Sequence, residues 1–405
     1  MVSLGKWHNQ PVTLSIKPNC VTFSIEKGLA SHVYSFELEG RWWTGMVDGI
    51  SYRRGLNGRV VAKWSPEANQ HERRWLSDEE SFEIERNIRA EFSRFILALS
   101  NGLVDCSPSP SGLEIELLRK LADYSAENAD LDVKQYSKIY KPVGILPPDQ
   151  YMAVVLQATE GCSFNTCSFC TFYRDRPFRI KQPAEFEAHV QAIKHYLGKG
   201  LSLRRTIFLG DANALVMPMR RLFTHLETIN KHFDVQKLGG IYAFLDGFSG
   251  ERKTVADYRQ LGNLGLRRIY IGMESGDAGL LKFLKKPGSP VDVLQAVRAI
   301  KEGGISVGII LLLGAGGKDY SATHIQESVR LLNQMNLDLD DLIYFSELIE
   351  SEGMDYTKDA YLQKLTPLSG EERLRQAEEI EEGLRFPADA GTPHISRYDI
   401  REFVY

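Results

Sequence analysis

The sequence predicts an α/β protein whose second half is an incomplete barrel of parallel strands, and three observations predict it. Short apolar runs recur at 152–158, 206–209, 238–244, 268–273, 305–313 and 341–349. Stretches with the 3.6-residue period of helices lie between them. The runs are apolar throughout rather than alternating, as strands buried on both faces are. Six βα units give a partial (β/α)6 TIM-type barrel, since closure takes eight. In such sheets functional groups gather where the strand C-termini meet the loops.

The elements follow in order. Residues 11–64 read as β structure: Tyr34, Phe36 and Leu38 alternate with smaller or polar residues, and Glu39-Gly40 suits a turn. Asn57-Gly58 suits a hairpin between 50–56 and 59–64. Ser77 and Glu80 form a capping box, behind which Ile84, Ile88, Phe92, Phe95 and Leu99 share a helix face that stops at Gly102. Residues 113–125 suggest a short helix, and 140–148 (YKPVGILPP) a linker or extended arm. Further on, Pro183 starts a helix facing inward with Phe186, Val190, Ile193 and Leu197, and Pro218 one with Leu222, Leu226, Ile229 and Phe233. Val255, Tyr258 and Leu261, then Val293, Val297 and Ile300, then Ile325, Val329 and Leu332 mark three more. Residues 370–386 form a charged helix with the stripe Leu374, Ala377, Ile380 and Leu384, and the end to Tyr405 reads as an ordered tail or lid. The expected division is a β-rich N-terminal domain at 1–75, a helical connector and linker at 76–145, the barrel core at 146–350, and a C-terminal helix and tail at 351–405.

Bulk properties narrow the class. A chain of 405 residues exceeds one compact core. Its net charge of -4 gives no pull toward nucleic acid or an anionic membrane surface. The N-terminus lacks the long apolar core of a signal peptide, and the most apolar stretch, 305–313, is too short to span a bilayer, so the expected location is the cytoplasm. The 5 cysteines are too few for a secreted disulfide scaffold. Cys20 and Cys106 stand alone and read as small buried apolar residues.

The other three cluster in QATEGCSFNTCSFCTFYRDRPFRIK as Cys162-x4-Cys167-x2-Cys170. Thiolates select iron–sulfur clusters, zinc or copper(I). On a four-iron cubane, three thiolates leave one iron open, and an open position implies a ligand from substrate or cofactor. A zinc site completed by a histidine such as His189 or His195 is the competing reading. Here a resemblance becomes specific. The run resembles the signature of the radical S-adenosylmethionine (SAM) superfamily, whose common spacing is Cys-x3-Cys-x2-Cys. The longer first gap resembles a branch with the motif Gly-Cys-Ser-x-Asn-x-Cys-x-Phe-Cys, matched by EGCSFNTCSFC at 160–170.

The resemblance extends over about residues 150–350. It implies a barrel of radical SAM type, a [4Fe-4S] cluster on Cys162, Cys167 and Cys170, and SAM at the open iron. It places the backbone at Phe169 near the adenine. Gly210-Asp211 stands where the family's Gly-Gly-Glu stretch meets the methionine amino group, with capping of the next turn by Asp211 or Asn213 as the competitor. Glu274 and Ser275, in Gly272-Met-Glu-Ser-Gly276, correspond to the segment whose acid contacts the ribose hydroxyls. Gly308, Leu313 and Gly314 lie on the glycine-containing fifth strand that flanks the adenine. Tyr173, Arg174, Arg176, Arg179, Lys285 and Lys286 follow the motifs, and a solvated face is the commoner fate of such charges. The implied chemistry is reductive cleavage of SAM to a 5′-deoxyadenosyl radical that takes hydrogen from a substrate. That substrate is a small molecule or peptide, and the electron donor a reduced flavodoxin or ferredoxin. Membrane partners are not expected, and near-neutral charge argues against nucleic acid. Methyl- or thio-transfer to RNA or a small molecule is a variant of the same class; a second cluster motif, which thiolation uses, is absent from the sequence. A non-enzymatic iron–sulfur or zinc protein is the alternative from outside it. The sequence singles out no catalytic side chain.

Overall fold

Alternating apolar residues lay the first part of the chain into an antiparallel sheet, and the continuous apolar runs lay the second into a parallel one. The computed structural model describes residues 1–66, 72–246, 248, 252–351, 353–387 and 389–405. They group into two units, the first comprising 1–143, 192–205 and 401–405, the second 144–191 and 206–400. This grouping cuts the chain differently from the four segments expected above.

In the first unit, β1 (Val2–Trp7), β2 (Gln10–Ile16), β3 (Cys20–Lys27), β4 (Ala30–Glu37), β5 (Trp42–Val47), β6 (Ile50–Arg54), β7 (Val60–Trp64) and β8 (Glu72–Trp75) form a meander. With β9 (Asp105–Ser107) beside β1 the sheet has nine strands. β6 and β7 pair across the Asn57-Gly58 turn, where Gly58 takes φ +81°. One sheet face packs on α1 (Asp78–Ser100), which starts with the Ser77–Glu80 capping box. Phe23 stacks on Phe95 at 4.2 Å and Phe36 lies 4.4 Å from Phe92, all fully buried. α2 (Gly112–Ala122) adds Leu118 and Leu121 to this core. α3 (Ala126–Ile139) was not anticipated, although Ser125 caps it. Cys20 and Cys106 are buried, as expected of small apolar residues.

The second unit holds a sheet of seven strands, every adjacent pair parallel. β10 (Ala153–Gln157) is followed by the small hairpin β11 (Thr159–Glu160) and β12 (Arg179–Ile180), then α4 (Pro183–Leu197). β13 (Thr206–Gly210), α5 (Met219–His232), β14 (Ile241–Phe244), α6 (Val255–Asn263), β15 (Leu266–Glu274), α7 (Ala278–Phe283) and α8 (Pro290–Glu302) continue the alternation. β16 (Ser306–Leu313), α9 (Gly317–Leu332), β17 (Leu342–Glu347), α10 (Asp355–Leu362), α11 (Gly370–Gly383) and β18 (His394–Tyr398) complete it. The α/β architecture with a partial parallel barrel is as expected. The tail contributes a strand that was not: β18 pairs with β17 from Leu342↔His394 to Ser346↔Tyr398.

Two helix faces also differ. α9 buries His324, Ser328, Leu331 and Leu332 rather than Ile325 and Val329. On α11, Leu374 is exposed and Gln376 is buried, because the Gln376 amide serves Gly314 N and Ser321 Oγ. At the N-terminal end of the barrel strands, Asp149 accepts from Tyr270 (2.5 Å), Tyr344 (2.9 Å), Gln150 (2.9 Å) and Arg268 (3.3 Å). Among the described residues no helix is long and apolar enough to cross a membrane.

Phe92 fills the first unit's core, so F92A is expected to cost about 3–5 kcal/mol in urea unfolding of the full chain, through lost burial plus a cavity. A loss below about 1 kcal/mol would show that the aromatic cluster is not what holds the sheet to α1.

Candidate functional site

The three clustered cysteines sit on the loop that leaves β10 and returns through β12. Its neck is closed by charge. Glu160 accepts from Arg179 at 2.8 Å through both oxygens and from Lys181 at 2.8 Å. Burial opposes ionisation here, but Arg179 and Lys181 draw the Glu160 carboxyl down to about 2. Within the loop, Asn165 takes φ +55°, the left-handed conformation that Asn tolerates best after Gly. Its N–H reaches Cys162 Sγ at 3.4 Å and its side-chain amide donates to Tyr173 O at 3.0 Å. The four-residue gap thus turns at Asn165, a role the sequence reading missed although Asn is the natural non-glycine choice for it. Ser168 N donates to Leu284 O (2.9 Å), and Ser168 O accepts from Tyr356 N (3.0 Å). Phe169 packs against the cluster of Leu280, Phe283, Leu312 and Tyr356.

All three thiols are free and half-buried. Burial pushes Cys170 up to about 12 and raises Cys167, against the pull of the Lys286 ammonium. Cys162 and Cys167 also raise Cys170 electrostatically, so the three lie within reach of one another's charge. Among the described residues no three His, Cys, Asp or Glu side chains converge on the position of a single ion. A cluster carries each thiolate on its own iron and does not need three ligands on one ion. The histidines of the zinc reading are engaged or remote in kind: His189 Nε2 accepts from Gln157 N at 3.1 Å, and His195 is exposed.

Asp211 follows β13 through a cis Gly210–Asp211 peptide. Its carboxylate accepts from the Gln157 amide (2.9 Å) and Gly161 N (3.1 Å) and pairs with Arg176 (3.3 Å). Both oxygens are therefore taken up by the protein, and only the backbone of this stretch remains for a ligand. Asn213 makes no capping bond; its amide donates to Asp246 (2.5 Å) and Ser163 (3.4 Å).

The Gly272–Gly276 segment divides its labour. Glu274 sits at φ +59°, a sparsely populated conformation for a residue with a side chain. Its carboxylate folds back over Gly272, where a Cβ would stand 2.4 Å from Oε1. Burial raises the Glu274 carboxyl, and Lys286, at 3.4 Å, draws it back. Ser275 instead bonds His324 Nδ1 (2.8 Å) and accepts from Asp277 N (3.0 Å), while Gly276 lets the backbone approach α9. Lys286, which the sequence reading left on a solvated face, is largely covered and pairs with Glu274 at 3.4 Å, whereas Lys285 is exposed and pairs with Asp359 at 2.6 Å. Arg174 and Arg179 pair with Asp355 (3.0 Å) and Glu160 (2.8 Å), and Tyr173 is buried. β18 adds Tyr398, paired in register with Ser346; burial raises its phenol, and Glu274 adds to that rise.

The fifth-strand positions lie apart from one another. Gly308 is mid-strand, where a Cβ would meet the Tyr270 ring at 2.4 Å. Leu313 is buried and accepts from Leu348 N at 2.9 Å. Gly314 N donates to Gln376 (2.9 Å), and its φ is +81°.

Residues 156–332 match the radical SAM superfamily model. This segment belongs to the radical SAM superfamily. Radical SAM domains bind a [4Fe-4S] cluster and SAM. Comparison with curated proteins finds no match. Among solved structures, coproporphyrinogen III oxidase (HemN) from Escherichia coli is similar at 14% identity over 56% of this chain and 50% of that chain, with TM-score 0.42. The cobalamin-dependent SAM radical enzyme OxsB shares 19% identity over 57% of this chain and 31% of that one, TM-score 0.36. SuiB of Streptococcus suis, bound to SAM, shares 14% identity over 87% and 72%, TM-score 0.40. The chain thus spans half or less of the length of the first two, and nothing about substrate follows from likenesses this distant.

If Gly308 serves packing, G308A forces a methyl into the Tyr270 ring and costs about 1–3 kcal/mol, read as a lowered Tm. An unchanged Tm would remove the packing explanation.

Proposed function

We propose that this chain is a radical SAM enzyme in which Cys162, Cys167 and Cys170 hold a [4Fe-4S] cluster whose fourth iron takes SAM. The observation that carries the reading is the set of three free, half-buried thiols on one pinned loop of a radical SAM barrel, with no fourth cysteine beside them. When bound, the reduced cluster and SAM supply a 5′-deoxyadenosyl radical by reductive cleavage of the sulfonium, and that radical takes a hydrogen atom from substrate. The chain's own residues bind, orient and exclude water. Lys286 offers a buried ammonium next to Cys167, suited to an amino-acid carboxylate. The Glu274 carboxylate suits two adjacent ribose hydroxyls. Gly210 leaves backbone open to close approach by the amino-acid end. Phe169 and its apolar neighbours keep water from the loop's inner side. The proposed substrate is a small molecule or peptide, and the electron donor a reduced flavodoxin or ferredoxin. The proposed location is the cytoplasm.

Anaerobic reconstitution is expected to give four irons and four sulfides per chain and 5′-deoxyadenosine from SAM under reductant. Replacing each of the three cysteines by Ser is expected to abolish both. Colourless protein holding only zinc, or a cluster whose EPR signal ignores added SAM, would refute the reading. K286A and E274Q are each expected to keep the cluster but weaken SAM binding about tenfold, or ~1.4 kcal/mol, in equilibrium dialysis. Unchanged affinity in both would remove these two from the site.

A further inference from the structure

Asp211 is buried to 4% exposure, and its partners come from three separate places. Gln157, the last residue of β10, donates to Oδ1 at 2.9 Å. Gly161 N, immediately before Cys162, donates to Oδ2 at 3.1 Å. Arg176, beyond Cys170, brings Nη2 to 3.3 Å from the same Oδ2. One carboxylate oxygen therefore touches both ends of the segment that carries every clustered thiol. The Asp211 backbone N–H adds a bond to Thr159 Oγ1 at 3.0 Å, on the strand that leads into the loop. Arg176 is itself held: its side chain is 6% exposed, pairs with Asp175 at 2.8 Å, and lies 5.4 Å over the Tyr173 ring.

The geometry points to Asp211 as a positioning residue: acting through Gly161 and Arg176, it ties the two ends of the cysteine loop together and so sets how the three thiols are presented. This rests on the cluster reading above and replaces a direct contact between the Asp211 carboxylate and SAM. That carboxylate already accepts from two N–H donors and faces a guanidinium, so a ligand ammonium would have to displace one of them. Removing it takes a buried acid away from a buried guanidinium, which is costly. The loop's exit is then released while its entrance loses an acceptor. Partners one step out from metal ligands commonly change metal retention more than they change the fold.

The test uses the full chain, reconstituted anaerobically, as wild type, D211N, R176Q, R176K and the double variant D211N/R176Q. Cluster loss to an excess of chelator, SAM affinity from the change in the cluster's EPR signal, and the Tm of the metal-free protein are read on each. D211N and R176Q are expected to lose the cluster at least about tenfold faster than wild type. The double variant should be no faster than the worse single one, because both break one unit. R176K, which keeps the charge, should lie close to wild type, and variants still holding a cluster should bind SAM as wild type does. Weaker SAM binding in D211N with unchanged cluster loss would overturn the proposal in favour of direct contact. Wild-type rates of loss in both single variants would overturn it outright. A rate that tracks a fallen Tm in every variant, R176K included, would reduce the pair to general stability and overturn it as well. Wild-type protein that takes up no iron or sulfide would instead sink the cluster reading, and this proposal with it.

Discussion

A buried carboxylate must have its lone pairs met, and Asp211 meets them with groups from β10, the start of the cysteine loop and its end. This constraint orders the mouth of the barrel. A loop of sixteen or so residues without regular structure has no ladder to fix it, so its shape depends on such cross-ties. The Glu160–Arg179–Lys181 group closes its neck, Asn165 turns it, and Ser168 is bonded to backbone at the end of α7 and the start of α10. The three thiols are thus carried on a loop cross-tied by the protein's own side chains.

The opposite end of the sheet is built to be inert. Asp149 gathers two tyrosine hydroxyls, an amide and a guanidinium at the N-terminal end. Above them Tyr270 occupies the space that Gly308 leaves. At the other end, Glu274 pairs with Lys286 at 3.4 Å, and Cys167 feels the charge of both. A polar cluster at the strand N-termini and the cysteine loop at their C-termini fit a parallel barrel whose chemistry lies at the strand C-termini.

What the sequence made legible follows the strength of each local signal. The barrel strands were legible because burial on both faces writes an unbroken apolar run, and the Ser77 cap because its partners are three residues apart. β18 was hidden because HISRY is a short edge strand of mostly polar residues with no alternating pattern, and α10 and α11 separate it from β17. The Ser275–His324 bond was not legible because the two lie on separate elements, and Leu374 was misjudged because a glutamine side chain can serve a buried backbone N–H better than a leucine can. Gly272 was read only as part of a motif. Its reason is the Glu274 carboxylate lying over it, a contact no linear spacing encodes. Lys286 is the plainest case. Beside Lys285 it reads as half of a solvated pair, yet one is exposed against Asp359 and its neighbour is buried against Glu274.

That pair is hard to explain as a stabilising device. A buried ion pair gives little net stability, because taking two charges out of water costs about as much as their attraction returns. At 3.4 Å the contact is also longer than a strong charged hydrogen bond, which lies near 2.7–2.9 Å. Glu274 adds backbone strain at φ +59°. Apolar residues would fill the same volume more cheaply in free energy. The arrangement makes sense if each group holds the other's charge until a ligand bearing its own anion and its own hydroxyls replaces both partners. Such a ligand then meets preoriented groups whose desolvation has already been borne by the fold, and binding energy goes into orientation rather than into rebuilding the site.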